Sequence, residues 1–483
     1  MITARTVLNA EPTARLVLGD PASVFSACAV DSRTIQGGEL FVAVQGPSRD
    51  GHAFVGPALA AGARGVLVSH LSDSYPPETV VIQTPDPRAA LLAIGARVRG
   101  ETAARVIAVT GSVGKTTTKD FIAHILSTRF ALVASAASFN NDLGVPLTLT
   151  RLDANTAWAV LEIGASHSGE VRKLSVVARP HIAAVTNIGF AHIGQFGSLD
   201  ATARAKLEIL AGMPIGGTLI INGDDARLLQ FATRLRGTST KLVLVGADPS
   251  NDLVLEKIDA TGSKLVVQMR SARNSREVVL PLLGAHFAYA LAIAVATAME
   301  ASIPFDEAVS ACKDFRTPPG RMRVFELGDR VTVIDDSYNG SPDSTIAGLR
   351  SLLAFDRKRI AVLGEMRELG VFTAECHQMA GRALAGAATC AVLVGAADAR
   401  IVQESACAAG MADGDITIVA SATEALAVVR RLVAEAREPV VLYIKGARFR
   451  HMERVRLGLE GLPVACSLSE CQLYINCSTC PQL

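Results

Sequence analysis

The sequence has 483 residues, a formal net charge of +1, and a hydrophobic fraction of 49% with only 5% aromatic residues. At about 150 residues per domain, this length predicts about three domains, each large enough to bury a core. The balanced charge argues against a nucleic-acid-binding protein held by a basic face.

The N-terminal segment, residues 1–18, lacks the continuous apolar stretch of a signal peptide. The most apolar run of the chain, residues 288–299, is shorter than the roughly 20 residues that a bilayer requires. We therefore expect a cytoplasmic protein with reduced thiols and no membrane partner.

Residues 1–84 form the first predicted unit. The runs ELFVAV, GVLVS and TVVIQ predict short strands between segments rich in turn residues. Segment 31–55 is dense in Gly, Asp and Ser, which is typical of a loop region that faces a ligand. A capped helix over residues 84–100 then leads into the next unit.

Residues 85–316 form the second unit, in which strands and helices alternate. The runs RVIAVTG, AWAVLEIG, HIAAVTNIG and GTLIINGDD predict strands, and stretches such as KTTTKDFIAHILSTRF and LDATARAKLEILAG predict helices. Such alternation predicts a mainly parallel sheet with helices on both faces, and hence an α/β fold.

A phosphate-binding loop is predicted where the first strand of this unit ends. The stretch GSVGKTT follows a strand and opens a helix, and backbone N–H groups in such a turn attract phosphate. Val109 stands where the usual template has its first Gly, so a plain Gly turn that caps a helix is the alternative. Lys115 would lie along the β and γ phosphates, and Thr116 would ligate Mg²⁺. The predicted loop residues are Gly111, Ser112, Val113, Gly114, Lys115, Thr116 and Thr117.

Residues 317–465 form a third unit of Rossmann-like pattern. The runs VTVIDDS, RIAVLGEM, CAVLVGAA and VVLYIKGA predict strands, and helical stretches separate them. The unit lacks the G-x-G-x-x-G fingerprint, so the pattern does not imply a bound dinucleotide.

Residues 466–483 form a cysteine-rich tail. Cys477 and Cys480 have the C-x-x-C spacing of a zinc half-site, but no second half-site matches it. A loose, oxidisable tail is the alternative. The other tail cysteines are Cys466 and Cys471, and we interpret the cysteines elsewhere as small core or surface residues: Cys28, Cys312, Cys376, Cys390 and Cys407.

Ordered motifs in all three units resemble the Mur ligase family. The second unit carries GSVGKTTTKD, NNDLGVPLTLTRL, LEIGASHSGEV and NIGFAHIGQFGSLDATARAKLEI, and the third carries PPGRMRVFEL, VIDDSYNGSPDS, VLGEMRELG and YIKGARFRHMERV. In the first unit, DSRTIQGGELFVAVQG and DGHAF resemble the family's uridine-nucleotide-binding domain. The resemblance covers about residues 25–460 and leaves the tail outside.

This resemblance implies an α/β enzyme of three domains: a small UDP-binding domain, a central P-loop ATPase domain and a C-terminal Rossmann-like domain. The motifs are most similar to members that use ATP to join D-alanyl-D-alanine to UDP-N-acetylmuramoyl-tripeptide in peptidoglycan synthesis, through an acyl phosphate. The implied cofactors are ATP and two Mg²⁺ ions. We expect a monomer with small-molecule substrates and no nucleic-acid partner.

The resemblance also assigns metal-binding and catalytic roles. Glu162 ends an apolar strand and would bind Mg²⁺, and His192 would ligate a second ion. Lys206 would carry a carbamate formed from CO₂, because a bare ammonium beside two metal ions would be repelled. The alternatives are a surface acid, a packed or capping histidine, and a solvated lysine paired with Glu208. The implied catalytic residues are Lys115, Glu162, His192 and Lys206, and the implied metal ligands are Thr116, Glu162, His192 and the Lys206 carbamate.

Nucleotide and substrate contacts follow from the same resemblance. Arg321 would reach the ATP phosphates, Asp336 would lie near the ribose, and Asn141 would complete the ATP site. For Lys445, Arg448 and Glu453 in the last motif, an ordinary surface ion pair is an equal alternative to a contact with substrate. The implied substrate-binding residues are Ser32, Arg33, Asn339, Lys445 and Arg448, with Glu453 beside them.

One segment departs from the family pattern. The family often has G-x-H-N-x-x-N-A after the central domain, and its asparagines approach adenine. Here Phe287 and Ala290 replace the asparagines, while His286 remains. Stacking or backbone contacts would then hold adenine instead.

Other functions stay open at this point. One is a sister ligase that adds another amino acid or serves a secondary pathway, although the first unit favours cell-wall chemistry. Another is a P-loop switch or motor NTPase, which the third unit and the set of Glu162, His192 and Lys206 argue against. A third is a catalytically silent binding protein, which the lost asparagines keep open.

Overall fold

The computed structural model describes residues 2–46, 49–235, 237–262, 264–464, 466, 468–471 and 477–480. Three large sheets follow one another along the chain, in residues 15–83, 105–280 and 323–445. Within the described part of the chain, no helix combines the length and the apolarity that crossing a bilayer requires.

The first sheet is small and its inner strands are fully covered. Its domain consists of β1 (Ile2–Thr3), α1 (Ala4–Ala10), β2 (Arg15–Leu18), β3 (Val24–Phe25), β4 (Cys28–Ala29), β5 (Leu40–Val42), α2 (Val55–Ala60), β6 (Gly65–Val68) and β7 (Val80–Gln83). The strand order is β2-β7-β6-β5-β4, with β2 antiparallel and the others parallel. Strands β5 and β6 are buried throughout, as expected for parallel strands covered on both faces.

A long helix joins this domain to the central one. Helix α3 (Pro87–Glu101) begins with Pro87 in its first turn, and Asp86 accepts hydrogen bonds from the backbone N–H groups of Arg88 and Ala89. A side chain at Gly95 would lie 2.7 Å from Cβ of Pro146, so this glycine allows close helix packing.

The central domain contains a nine-stranded sheet. Its elements are β8 (Arg105–Thr110), α4 (Lys115–Leu126), β9 (Leu132–Ala134), α5 (Gly144–Leu149), β10 (Trp158–Glu162), α6 (Glu170–Ala178), β11 (Ile182–Val185), α7 (Ile193–Phe196), α8 (Leu199–Leu207), β12 (Thr218–Asn222), α9 (Ala226–Ala232), β13 (Lys241–Gly246), β14 (Leu253–Thr261), β15 (Lys264–Ser271), β16 (Asn274–Leu280), α10 (Phe287–Glu300) and α11 (Phe305–Ala311). Residues 288–299 lie within α10, which is largely buried in the core.

The strand order of this sheet determines where a ligand can bind. The order is β16-β15-β14-β13-β12-β11-β8-β10-β9, parallel from β9 to β14, with an antiparallel edge of β14, β15 and β16. Strand β8 lies between β10 and β11, so the chain continues from β8 to β9 and β10 on one side of it and then crosses to β11 on the other side. In open α/β sheets, ligands bind outside the carboxyl ends of strands at such a switch point.

The third domain has a six-stranded sheet. Its elements are β17 (Arg323–Leu327), β18 (Val331–Asp336), α12 (Pro342–Ser351), β19 (Lys358–Gly364), α13 (Thr373–Ala387), β20 (Cys390–Val394), α14 (Ala397–Ala408), β21 (Ile416–Val419), α15 (Ala422–Glu435), β22 (Val440–Lys445) and α16 (Glu453–Leu459). The order is β17-β18-β22-β19-β20-β21, and all neighbours except the β17–β18 pair are parallel. The carboxyl ends of β18, β22 and β19 therefore meet at one edge.

Candidate active site

The loop between β8 and α4 has the shape of a phosphate cradle. Gly111 has φ +142° and Gly114 has φ +80°, conformations that favour glycine. A side chain at Gly111 would lie 2.0 Å from Oγ1 of Thr186, so the loop packs directly on the segment after β11. The amide of Asn187 holds the loop tip by accepting from the Val113 N–H at 3.0 Å. The sequence-predicted strand, turn and helix are therefore present.

Lys115 begins α4 and folds back over this loop. Its Nζ donates to the carbonyl of Gly111 at 2.8 Å and to that of Ser112 at 3.0 Å. The surrounding protein lowers the pKa of Lys115 by desolvation, while the charge of Glu162 opposes this and that of Arg321 adds to it. A cationic group is thus held at the mouth of the phosphate cradle.

Glu162 is the last residue of β10, and its side chain is buried with 1% of the residue exposed. One carboxylate oxygen accepts from Nδ2 of Asn140 at 2.7 Å. The other, Oε2, is buried without a hydrogen-bond partner among the described residues. A buried oxygen left without a donor is costly, and a hard cation such as Mg²⁺ would satisfy it. Glu162 is therefore not the surface acid of the alternative interpretation.

Lys206 lies on α8 and is also 1% exposed. Its Nζ donates to the carbonyl of Ala165 at 3.3 Å and lies 5.0 Å from the ring centre of Phe196. Burial, with a smaller effect from the charge of Lys115, lowers the pKa of Lys206 to about 7. Glu208 instead accepts from backbone N–H groups near the start of α6. Lys206 is thus not the solvated ion-pair lysine of the alternative interpretation.

His192 links the central and third domains. It adopts a left-handed conformation with φ +58° just before α7. Its imidazole Nδ1 contacts the carboxylate of Glu368, and this contact is the main reason that the pKa of Glu368 is lowered. The N–H of Gly194 donates to the carbonyl of Glu368 at 3.0 Å. Nearby, Asp343 accepts from the Phe190 N–H at 2.8 Å.

Arg321 brings a positive charge from the third-domain segment to the phosphate cradle. Its Nη2 lies 3.3 Å from the hydroxyl of Thr116 and 3.3 Å from that of Ser138. The guanidinium carbon lies 4.0 Å from the ring centre of Tyr338, which fixes the plane of the group. The cleft between the two domains therefore collects Lys115, Arg321 and the carboxylate of Glu162.

Asp336 and Lys445 end neighbouring strands β18 and β22 and form a buried ion pair. The hydroxyl of Tyr443 donates to the same carboxylate oxygen at 3.1 Å. Burial lowers the pKa of Lys445, and the charge of Asp336 opposes that effect. The pair is a fixed part of the cleft edge, not an exposed surface contact.

The remaining predicted residues fall into different surroundings. Arg448 donates to Oε1 of Glu453 at 3.2 Å, and the two side chains are 11% and 1% exposed, so this pair is largely buried. Asn339 is exposed in the loop between β18 and α12. In the first domain, Ser32 and Arg33 lie in a 3₁₀ turn, where Arg33 pairs with its neighbour Asp31.

The segment that departs from the family pattern lines a cavity of about 650 Å³ between the central and third domains. Phe287 and Ala290 are 3% and 8% exposed and belong to the core. His286 lines the cavity, and burial lowers its pKa to about 4, which keeps the imidazole neutral. The third-domain side of the cavity includes Arg350 and Ser351. For a ligand in this cavity, the arrangement favours contacts with the backbone and with the His286 imidazole over stacking on the ring of Phe287.

Comparison with known proteins decides the family. The model of the Mur ligase middle domain matches residues 109–298, and that of the Mur ligase glutamate ligase domain matches residues 320–448. The chain is 34% identical over 436 residues to UDP-N-acetylmuramoyl-tripeptide–D-alanyl-D-alanine ligase of Escherichia coli (strain K12), covering 90% of this chain and 93% of that protein. This chain belongs to the Mur ligase family.

Solved Mur ligase structures share its architecture. MurF from Acinetobacter baumannii superposes with a TM-score of 0.83 at 29% identity, covering 95% of this chain and 98% of that one. The MurF ligase from Thermotoga maritima in complex with ADP gives a TM-score of 0.77 at 23% identity, with 90% and 97% covered, which shows the fold alone. The predicted three-domain α/β fold is confirmed.

Sequence reasoning missed two residues that build the site of this Mur ligase, Asn140 and Glu368. Asn141 was predicted to bind ATP, and its side chain caps the start of α5 by accepting from the Gly144 N–H at 2.9 Å. Its neighbour Asn140 instead bonds the catalytic candidate Glu162. Glu368 stands in the quoted motif VLGEMRELG, yet the motif gave no sign that it contacts His192.

Proposed function

We propose that this Mur ligase uses ATP to join D-alanyl-D-alanine to UDP-N-acetylmuramoyl-tripeptide, giving the UDP-linked pentapeptide, ADP and phosphate. The relatives that carry this name supply the two substrates. The single structural observation behind the ligase chemistry is the contact of Arg321 with Thr116, because it carries a third-domain cation onto the phosphate cradle.

The phosphate cradle would bind ATP through its backbone N–H groups and the start of α4. Lys115 and Arg321 would neutralise charge on the transferring phosphoryl group, a role that is mainly positional and electrostatic. Asp336 would lie near the ribose, and the cavity beside His286 would take the adenine. Ser32 and Arg33 would bind the uridine diphosphate, while Asn339, Lys445 and Arg448 would contact the peptide ends.

The metal ligands of this proposal are Thr116, Glu162, His192 and a carbamate on Lys206. The unpartnered Oε2 of Glu162 and the oxygen-rich ligand set suit Mg²⁺. Magnesium would supply charge neutralisation at the phosphoryl group. The lowered pKa of Lys206 supports the carbamate, since only a neutral amine adds to CO₂.

The bonds change in two stages. A carboxylate oxygen of the tripeptide attacks the γ-phosphorus and ADP leaves, which gives an acyl phosphate. The D-alanyl-D-alanine amine then attacks the acyl carbon, and the tetrahedral intermediate expels phosphate together with that carboxylate oxygen. Contact between the central and third domains would keep water from the acyl phosphate.

The test is phosphate release with each component omitted in turn. Mg·ATP, UDP-N-acetylmuramoyl-tripeptide and D-alanyl-D-alanine together should release phosphate and form a pentapeptide identified by mass. Release with ATP alone would favour an NTPase, and release with another amino acid would favour a sister ligase. No release with any acceptor would favour the silent binding protein.

A further inference from the structure

The described part of the tail packs on the third domain. Arg450 donates to the carbonyl of Ser469 at 3.2 Å, and Arg454 donates to that of Leu468 at 2.6 Å. Arg454 is 2% exposed, so the tail covers a guanidinium that belongs to α16. These contacts bring the first part of the tail, residues 468–469, against the segment 450–454.

Three potential metal ligands converge under this contact. His451, Glu453 and Cys477 are 1%, 1% and 3% exposed, and their ligand atoms all lie within 4.8 Å of one another. Nδ1 of His451 lies 3.0 Å from Oε1 of Glu453 and 3.4 Å from Sγ of Cys477. His451 has φ +48°, and this turn before α16 brings its ring beside Glu453.

The cluster also contains polar atoms that the protein leaves unsatisfied. Oε1 of Glu453 accepts from Arg448 and from the backbone N–H of Cys477, each at 3.2 Å. Oε2 of Glu453 and Nε2 of His451 are buried without a hydrogen-bond partner among the described residues. Since an unsatisfied buried carboxylate oxygen is costly, the cluster has capacity for a cation.

We propose that His451, Glu453 and Cys477 bind one zinc ion, which fastens the tail to the third domain. Sulfur and nitrogen ligands select zinc over magnesium, and three protein ligands leave one position for water. Binding releases the Cys477 proton to solvent, and the resulting thiolate and the Glu453 carboxylate supply two negative charges to the ion beside the guanidiniums of Arg448 and Arg454. Arg454 donates from Nε to Sγ of Cys477 at 3.3 Å and orients the sulfur.

This site differs from the C-x-x-C half-site that the sequence suggested. Its ligands come from α16 and the turn before it, with Cys477 from the tail, and Cys480 is not a member of the cluster. A second cluster, in the first domain, lacks the same capacity. There His52 already bonds Asp50 through Nδ1 at 2.6 Å and accepts from the Ser69 N–H through Nε2 at 2.9 Å.

The experiment measures zinc and cobalt binding by the full chain without substrates, so its outcome does not depend on the proposed ligase activity. Excess Mg²⁺ is present to fill oxygen-rich sites. The wild type should retain one zinc per chain by mass spectrometry. Cobalt added in place of zinc should give a thiolate-to-metal charge-transfer band. This band reports a cysteine ligand in the wild-type protein itself.

Two serine variants separate this site from its neighbours. Cys477→Ser should weaken zinc binding more than about 100-fold, because losing a ligand exceeds the usual effect of losing an outer-shell partner. Cys480→Ser, the same change in the same turn, should bind zinc and cobalt as the wild type does. The proposal is overturned if the wild type shows no cobalt–thiolate band, or if both variants bind zinc with equal affinity.

Discussion

Lys206 allows a direct test of the proposed metal site, because carbamate forms only from the neutral amine. With its pKa lowered to about 7, roughly three-quarters of Lys206 is neutral at pH 7.5, against about one in a thousand for a lysine at the ordinary value of 10.5. Burial therefore raises the reactive fraction several hundred-fold. Between pH 8 and pH 6 the neutral fraction should fall about ten-fold, so carbamate-dependent activity should fall in the same direction.

The perturbation is Lys206→Ala, assayed by phosphate release at pH 7.5. Loss of the carbamate should lower kcat by about 100-fold or more, by analogy with the removal of one preorganised charge-stabilising group. Acetate or formate should restore part of the activity by replacing the missing anion. Lys173→Ala, on the exposed face of neighbouring α6, should leave kcat unchanged.

A spectroscopic measurement completes this test. Wild-type protein equilibrated with ¹³C-bicarbonate should show a carbamate carbon resonance that is absent from Lys206→Ala. The reasoning is refuted if the wild type shows no such resonance and keeps full activity in CO₂-free buffer. Full activity of Lys206→Ala without added acid would refute it equally.

Three further substitutions test the rest of the site. Glu162→Gln should raise the Mg²⁺ concentration for half-maximal activity at least about ten-fold, since an amide oxygen binds a hard cation more weakly than a carboxylate. An unchanged Mg²⁺ requirement would count against Glu162 as a metal ligand. Arg321→Lys should lower kcat/KM for ATP by about 10- to 100-fold, because an ammonium lacks the planar guanidinium that lies on the Tyr338 ring and can donate two N–H groups to one phosphate. Equal kinetics would remove Arg321 from the site. Glu368→Gln should lower kcat more than it changes the ATP affinity measured by calorimetry, because the contact of Glu368 with His192 joins the central and third domains. A change in ATP affinity alone would contradict this domain-joining role.

Local patterns predicted the strand, turn and helix around residues 105–126 well. Strand β8 ends at Thr110 and α4 begins at Lys115, as the strand, glycine turn and helix start had indicated. The residues that predict this strand, turn and helix are close together in the sequence, so the prediction does not depend on how distant segments pack. The antiparallel edge of β14, β15 and β16 was not predicted, because the alternation of strands and helices earlier in the domain indicated parallel pairing.

Contacts between distant residues could not be read from the sequence. The bond between Asn140 and Glu162 and the contact between His192 and Glu368 depend on which strands become neighbours and how two domains meet. The burial of Lys206 likewise depends on packing by other elements. The spacing of the tail cysteines suggested a local half-site, whereas the structure places Cys477 against side chains more than twenty residues earlier in the chain.

The origin of the oxygen in the released phosphate tests the central claim most directly. The reaction is run with Mg·ATP, D-alanyl-D-alanine and tripeptide substrate whose terminal carboxylate carries ¹⁸O, and the phosphate is analysed by mass spectrometry. An acyl-phosphate ligase transfers one labelled oxygen from the carboxylate to each phosphate. Unlabelled phosphate, whose new oxygen comes from water, would contradict the account and indicate simple nucleotide hydrolysis.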